Sequence, residues 1–451
     1  MVDGSLSSDV GDVVSFESLG VTTVVLNSLQ ATHDLFDKRS TIYSDRPRMP
    51  MITELCGWTQ SLGLMHYGES WRRHRREFHQ LMNYKEVVNY QPLQLKEARA
   101  LVLKILQDPE EFPVHIRRTQ TAVIFKVAYG IDVRDENNKF MLKIKEALEG
   151  FAEAGVPGTF LVDRLPILKY VPDWFPGAAF KRKAKIWRKQ AEEMWGAPFE
   201  EAKKLISQGM HSQSMTETML SRIPEESERG FEEEVVRNVA GIAYLAGADT
   251  TISAMETFIL AMAMHPDLQK RAQQEIDSVV GPNRLPEFAD FEQLPFVVAV
   301  CREVLRWQPI TPLGIVHSNT EADEYRGYHI PKGSMVIGNT WAILRDEKAY
   351  PEPEVFKPDR FLDKDGKLDP NAQHPNVAAF GYGRRICPGR WFGEQSLLSM
   401  AATALAVCDI QPVKGEKLEA NMLHGIVTHP APFRCSFRER SANARLLAQE
   451  E

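Results

Sequence analysis

Cysteine is scarce in this chain: 451 residues hold five, Cys56, Cys301, Cys387, Cys408 and Cys435, and no two form a CxxC pair. That scarcity excludes a disulfide scaffold and a cysteine-rich zinc site, and makes a reducing compartment the default. Long apolar runs are missing too, since none approaches the roughly eighteen residues needed to span a bilayer. The opening MVDGSLSSDVGDVVSF lacks the basic-then-apolar order of a signal peptide. There is no excess of basic charge, because 54 Lys and Arg face 61 Asp and Glu for a net charge of −7. Non-specific nucleic-acid binding is thereby disfavoured, and any basic patch is a local docking feature. No Gly/Ser-rich linker, charge block or internal repeat divides the chain, so one compact unit over residues 1–451 is expected.

What is present is ample apolar material, 43% of the residues, for a large core. Residues Gly11 to Val25 alternate and are rich in Val, which predicts a small antiparallel sheet followed by a helical segment near Ala31 to Lys38. From Trp71 to Asp277 the pattern is mostly helical. Apolar spacing of three and four persists through EVVRNVAGIAYLAGADTTISAMETFILAMAM, which predicts a long, central, largely buried helix. HIPKGSMVIGNTWAI reads as strand, turn and strand around Lys332-Gly333, THPAPFRCSF as short strands, and Arg438 to Glu451 as a frayed polar tail. The fold class is therefore mainly α with small β-sheets.

Four stretches carry chemistry. In FGYGRRICPGRWFGEQ, Cys387 precedes a helix whose first-turn N–H groups point back at the sulfur, with Arg384, Arg385 and Arg390 nearby, so its thiol pKa is expected to fall. Gly383 and Gly389 let a flat group approach, and Phe380 supplies an aromatic wall. A buried structural cysteine is the competing reading. In AGADTT, Gly247, Thr250 and Thr251 are poor mid-helix choices, so either a helix starts at Asp249 or something other than stability selects them. CREVLRW sets Glu303 and Arg306 on one helical face, which taken alone is a surface ion pair. ESWRRHRREF sets Trp71 and Arg75 on one face of a charged helix.

The ordered set F-x-x-G-x-R-x-C-x-G, filled by Phe380, Gly383, Arg385, Cys387 and Gly389, resembles the haem-binding loop of the cytochrome P-450 family. With E-x-x-R, the P-x-R-F element at Arg360, A-G-x-D-T-T and W-x-x-x-R, the resemblance runs from GDVVSF to PFRCSF. The stretches LPILKYVPDWFPGAAFKRKA and GRRICPGRWFGEQSLL look most like fungal members, in particular the O-methylsterigmatocystin oxidoreductase-like group. The resemblance implies a triangular helical prism that holds haem b between the long helix and the cysteine-loop helix, with Cys387 as the axial thiolate on iron. It also implies that Glu303, Arg306 and Arg360 lock the scaffold, and that Gly247 leaves room over the haem. Asp249 and Thr250 would relay protons to dioxygen at the haem, and Trp71, Arg75, His317 and Arg385 would hold its propionates.

The implied reaction inserts one oxygen atom of dioxygen into a lipophilic small molecule, in fungal secondary or xenobiotic metabolism. Electrons come from NADPH through NADPH-cytochrome P-450 reductase, which would dock on Arg72, Arg73 and Arg76. A peroxygenase, an isomerase or dehydratase, and a non-catalytic haem-binding protein are the alternatives. The pocket is expected from Met51 to Met65, Gly155 to Leu165, the stretch before Ala246, Ile310 to Ile315 and Leu423 to Thr428. A monomer on the cytosolic face of the endoplasmic reticulum is implied, with no nucleic-acid partner. Membrane-bound members carry an anchor ahead of the part resembling GDVVSF, so either that anchor is missing here or attachment is peripheral. Trp174 and Phe175 beside Lys181, Arg182, Lys183 and Lys185 form a candidate contact with anionic lipid.

Overall fold

The computed structural model describes residues 11–449 except 19, 134–138, 156–157 and 225–227. The expected N-terminal hairpin is β1 (Val13–Ser18) against β2 (Val21–Leu26), antiparallel with Val13 opposite Leu26. Two short turns follow, α1 (Leu29–Thr32) and α2 (Ser40–Tyr43), with a π-helical segment His33–Lys38 between them. Then come α3 (Glu69–Met82), α4 (Gln91–Gln107), α5 (Phe112–Tyr129), α6 (Lys139–Ala154), α7 (Ala179–Ser207) and α8 (Met215–Ser221). The central helix is α9 (Arg229–Met264), followed by α10 (Pro266–Val279) and α11 (Pro295–Trp307). Proline at the start of α10 and α11 costs nothing, because the first-turn N–H it lacks has no helical partner.

Next come the strands β3 (His317–Ser318), β4 (Asp323–Tyr325), β5 (Tyr328–Ile330) and β6 (Met335–Gly338), the last two flanking Lys332-Gly333 as expected. The two strands around Lys332-Gly333 do not pair with each other. β5 closes on β4, whereas β6 runs parallel to β2 and antiparallel to β3, completing a sheet of order β1-β2-β6-β3. The end of that stretch is not strand at all but a helical turn, α12 (Thr340–Ile343), capped by the Asn339 side chain.

The chain then enters the cysteine loop and α13 (Arg390–Val407), followed by β7 (Cys408–Pro412), β8 (Met422–Leu423), β9 (His429–Pro430), β10 (Cys435–Glu439) and α14 (Ala444–Gln449). β10 pairs with β7, and β9 with β8. The tail expected to fray is instead anchored over its described part, because β10 reaches Glu439 and α14 buries Ala444 and Ala448 in the core. Polar composition concealed this, since only Ala444, Ala448 and part of Leu447 meet the core.

Two apolar cores meet at α9. Its first half, Val235 to Ala248, packs with α5 and α7, whereas its second, Ile252 to Ala263, packs with α4, α10, α11 and α13. The helix runs unbroken through Gly247 and both threonines, which excludes a start at Asp249. Such a helix is apolar on nearly every side because nearly every side is covered. The 249–251 segment is the seam between the two cores.

Candidate active site

Cys387 sits two residues before the N-cap of α13, and its backbone N–H donates to Phe380 O at 2.8 Å, closing the loop. Gly383 is the residue that lets this loop pack: its φ is +52°, and a Cβ there would stand 2.0 Å from Phe36 O. Tyr382 anchors the same turn through its hydroxyl to Thr340 Oγ1 at 2.8 Å. The first turn of α13 is pinned from α4, where Gln94 donates to Phe392 O and Ser396 Oγ. Phe380 and Gly389 are both half-buried beside the cysteine.

The five cysteines are not equivalent. Cys56, Cys301, Cys408 and Cys435 are buried, and burial pushes each thiol up to about 12. Cys387 alone remains partly accessible. Its thiol is also raised, against the sequence expectation, because burial of the sulfur outweighs the Gly389 N–H and the Arg75 and Arg390 charges that pull it down. The cationic setting is present, but unaided it does not offset desolvation.

Arg46, Arg75 and Arg385 gather on one side of this loop. Arg385 is buried and donates only to carbonyls, those of Ser44, Leu62 and Met65. Arg46, which the sequence reading overlooked, is also buried and donates only to Gly63, Ile315 and Val316. Arg75 makes no hydrogen bond or ion pair among the described residues, and burial pulls its guanidinium down to about 10. Trp71 is buried beneath Arg385, whose guanidinium carbon lies 4.6 Å from its ring centre. His317 is buried, stacked on Phe36, with Nδ1 against Tyr43 O at 2.8 Å. Among the described residues, Asp45 is the carboxylate that acts on Arg46 and Arg385. Several guanidiniums against one carboxylate leave a net positive pocket, which is costly unless an anion joins it.

On α9, Ala246 is exposed in a helix otherwise buried around it, and Thr250 is half-buried. Thr250 Oγ1 donates to Ala246 O at 2.7 Å, and Thr251 Oγ1 to Gly247 O at 2.8 Å, so both hydroxyls are spent on carbonyls one turn back. Asp249 meets His429 Nε2 at 3.4 Å and Arg117 at 4.0 Å. Burial would raise its carboxyl, but His429 and Arg117 hold it below the ordinary value. Gly247 is half-buried beside the exposed Ala246. A Cβ there would lie 3.3 Å from two Ile124 carbons, so the glycine permits close packing of α9 on α5.

Further out, the Glu303 carboxylate accepts from Arg306 Nε at 2.7 Å, Arg306 Nη2 at 2.8 Å, Arg360 Nε at 3.1 Å and the Lys357 N–H at 2.8 Å. The Glu303 and Arg306 side chains are 0% exposed, so this is a core ion triad and not a surface pair.

A profile of the family described as cytochrome P450 matches residues 3–437. The chain belongs to the cytochrome P450 family. Among fungal relatives, cytochrome P450 monooxygenase COX2 of Coprinopsis cinerea is 43% identical over 98% of this chain and 85% of its own length. Cytochrome P450 monooxygenase ARMGADRAFT_974139 of Armillaria gallica is 41% identical over 98% and 87%. Tryptamine 4-monooxygenase of Psilocybe cyanescens is 39% identical over 95% and 86%. This P450 is accordingly a haem-thiolate monooxygenase. Its residues fit the cofactor: one cysteine that is not fully buried can bind iron, an exposed alanine interrupts a largely buried helix, and a pocket with more guanidiniums than carboxylates among the described residues can take two propionates.

One expected docking charge is corrected. Arg73 pairs with Glu77 at 2.7 Å and Glu232 at 2.6 Å, tying α3 to α9, while Arg72 and Arg76 stay exposed. In the Gly155 to Leu165 pocket segment, residues 156–157 lie outside the described part.

Proposed function

We propose that Cys387 is the iron ligand of this P450, that Asp249 and Thr250 deliver protons, and that Arg75, Arg385, Trp71 and His317 seat the propionates. The observation that carries this reading is the contrast between Cys387 and the four buried cysteines, with the unpartnered Arg75 acting on its sulfur. Bound haem supplies oxygen activation. The protein's own tasks follow from the balance of the reaction, in which dioxygen, two electrons and two protons convert a C–H bond to C–OH and release one water.

The proton path begins at groups that are engaged elsewhere at rest. The Asp249 carboxylate is held by His429 and Arg117, and the Thr250 donor is committed to Ala246 O, so each must turn to hand over a proton. The substrate is a lipophilic small molecule, in keeping with apolar Met51, Ile52, Leu62 and Ile426 on the expected pocket segments. Electrons come from NADPH through a flavoprotein reductase whose acidic face meets Arg72 and Arg76. Attachment at the cytosolic face of the endoplasmic reticulum would use exposed Trp174 and Phe175.

The test is spectral. Reduced, carbonylated protein is expected to show the red-shifted Soret band of thiolate-ligated haem, and Cys387→Ala should lose it while Cys408→Ala keeps it. A Cys387→Ala protein that retains the band overturns the assignment. A binding screen with tryptamine, terpenoids, fatty acids, aromatic polyketides and steroids then narrows the substrate class.

A further inference from the structure

The Asp249 carboxylate belongs to a larger polar cluster at the seam between the two cores. His429 of β9 faces α9 with both ring nitrogens, Nε2 3.4 Å from Asp249 Oδ2 and Nδ1 3.0 Å from Glu256 Oε2. From α5, Arg117 approaches the other Asp249 oxygen at 4.0 Å. The Tyr244 hydroxyl, one turn earlier on α9, lies within electrostatic reach of Asp249 and Arg117. The turn before His429 is fastened to its surroundings: Ser253 Oγ donates to Thr428 O at 2.5 Å, and the Thr428 N–H donates to Ile310 O at 2.8 Å.

An imidazole that serves two carboxylates must donate from both nitrogens, and only its protonated form can do so. Burial alone would push the ring down, yet the Asp249 and Glu256 carboxylates outweigh it and hold His429 at about 9. The arrangement is one cation between two anions, with a second cation, Arg117, on the far side of Asp249. In this arrangement the Asp249 oxygens are directed at His429 and Arg117, and the Thr250 hydroxyl at Ala246 O.

We propose that His429 is the positioning residue for Asp249, holding the carboxylate on the hairpin side of α9 so that it reaches the oxygen-reducing face only when the bridge to His429 opens. The inference rests on the reading of Asp249 as the proton carrier. His429 touches neither cofactor nor substrate in this scheme, and acts through Asp249 alone. Glu256 supports it by fixing the ring from the opposite nitrogen.

Linkage sets the sign of the pH dependence. The folded imidazole keeps its proton up to about 9, whereas the free group loses it near 6.5, so the bridge contributes fully below about 6.5 and fades as pH rises through about 9. The experiment uses haem-loaded protein with NADPH and a flavoprotein reductase and no added organic substrate. NADPH oxidation and thermal melting are followed across that range for the parent, His429→Gln, Glu256→Gln and Asp249→Asn. The ratio of the His429→Gln rate to the parent rate cancels the pH dependence of the reductase. That ratio should exceed one at neutral pH and fall toward one above about pH 9, as the parent bridge opens by itself. The melting temperature of His429→Gln should lose the alkaline decline seen in the parent. Glu256→Gln should move both transitions to lower pH, because one of the two carboxylates holding the proton is gone, and it carries the test if His429→Gln does not fold.

A constant rate ratio together with unmoved transitions, alongside an Asp249→Asn variant that slows oxidation, overturns the role of His429 and leaves Asp249 as the carrier. An Asp249→Asn variant as fast as the parent, with its carbonyl band intact, overturns the proton-carrier reading and this inference with it.

Discussion

At the scale of single residues, Thr250 shows how a motif position has two physical jobs available. Its hydroxyl donates to Ala246 O at 2.7 Å, the ordinary satisfaction of a threonine inside a helix, and Thr251 does the same one residue on. The two differ in access, since Thr251 is buried and Thr250 is not. If Thr250 turns to donate during oxygen reduction, Thr250→Ala should still bind haem and consume NADPH and dioxygen, but more of the electrons should appear as hydrogen peroxide and fewer as product. The ratio of product to NADPH oxidised, with peroxide counted in the same samples, checks this. Coupling equal to the parent's would leave Thr250 with only its helical bond. The sequence marked Thr250 and Asp249 as odd choices in a helix, but contained no sign of His429, Glu256 or Arg117, which lie up to 180 residues away from Asp249. The misjudged Cys387 thiol has a similar cause: neighbouring arginines are legible along the chain, whereas the depth at which the sulfur is buried is not.

Among the elements, the segment from α11 to the cysteine loop is held by a carboxylate. Glu303 accepts from Arg306, Arg360 and the Lys357 N–H, and the guanidiniums use further donors on the Leu344, Pro353 and Pro351 carbonyls. Replacing a buried triad by apolar groups can be neutral, but removing its single anion leaves two buried cations without a counter-charge. Glu303→Ala is therefore expected to lose roughly 3–5 kcal/mol and to yield little folded holoprotein. Denaturant midpoints and haem content measure this, and a variant with parental values of both would mean the triad contributes no net stability. The E-x-x-R spacing was readable as a pair on one helical face. The third partner, Arg360, 57 residues on, was expected from the family resemblance alone, because spacing along the chain does not show a contact made by tertiary packing.

Across the whole molecule, the exposed apolar side chains concentrate between α6 and α7, where Ile167 is 71%, Tyr170 72% and Trp174 80% exposed. Exposed aromatics on one segment suit the interfacial region of a bilayer. The basic residues beside them are less available than the sequence suggests: Lys181 and Lys185 pair with Asp173, and Lys183 pairs with Glu153. Liposome flotation should therefore show binding that depends more on Trp174 and Phe175 than on anionic lipid content. The double variant Trp174→Ser/Phe175→Ser is expected to remain in the soluble fraction, and undiminished flotation would remove this patch from the account. No helix among the described residues is long and apolar enough to cross a membrane.

The sequence by itself determined that the chain from Trp71 to Asp277 is mostly helical, that α9 is long and central, and that Cys387 stands in a glycine-framed turn ahead of a helix. These follow from local spacing, propensity and backbone permissiveness, which act over a few residues. Tertiary structure alone decided which strands pair around Lys332-Gly333, that the last described residues are anchored, that Gly247 stands close against Ile124 of α5, and that Arg73 binds Glu232. It also decided where a charge has no ion-pair partner among the described residues, at Arg75, and where it is doubly compensated, at His429. The physical reason is that burial and charge pairing depend on distances through space, and residues far apart in the chain set those distances only once the two cores close on α9.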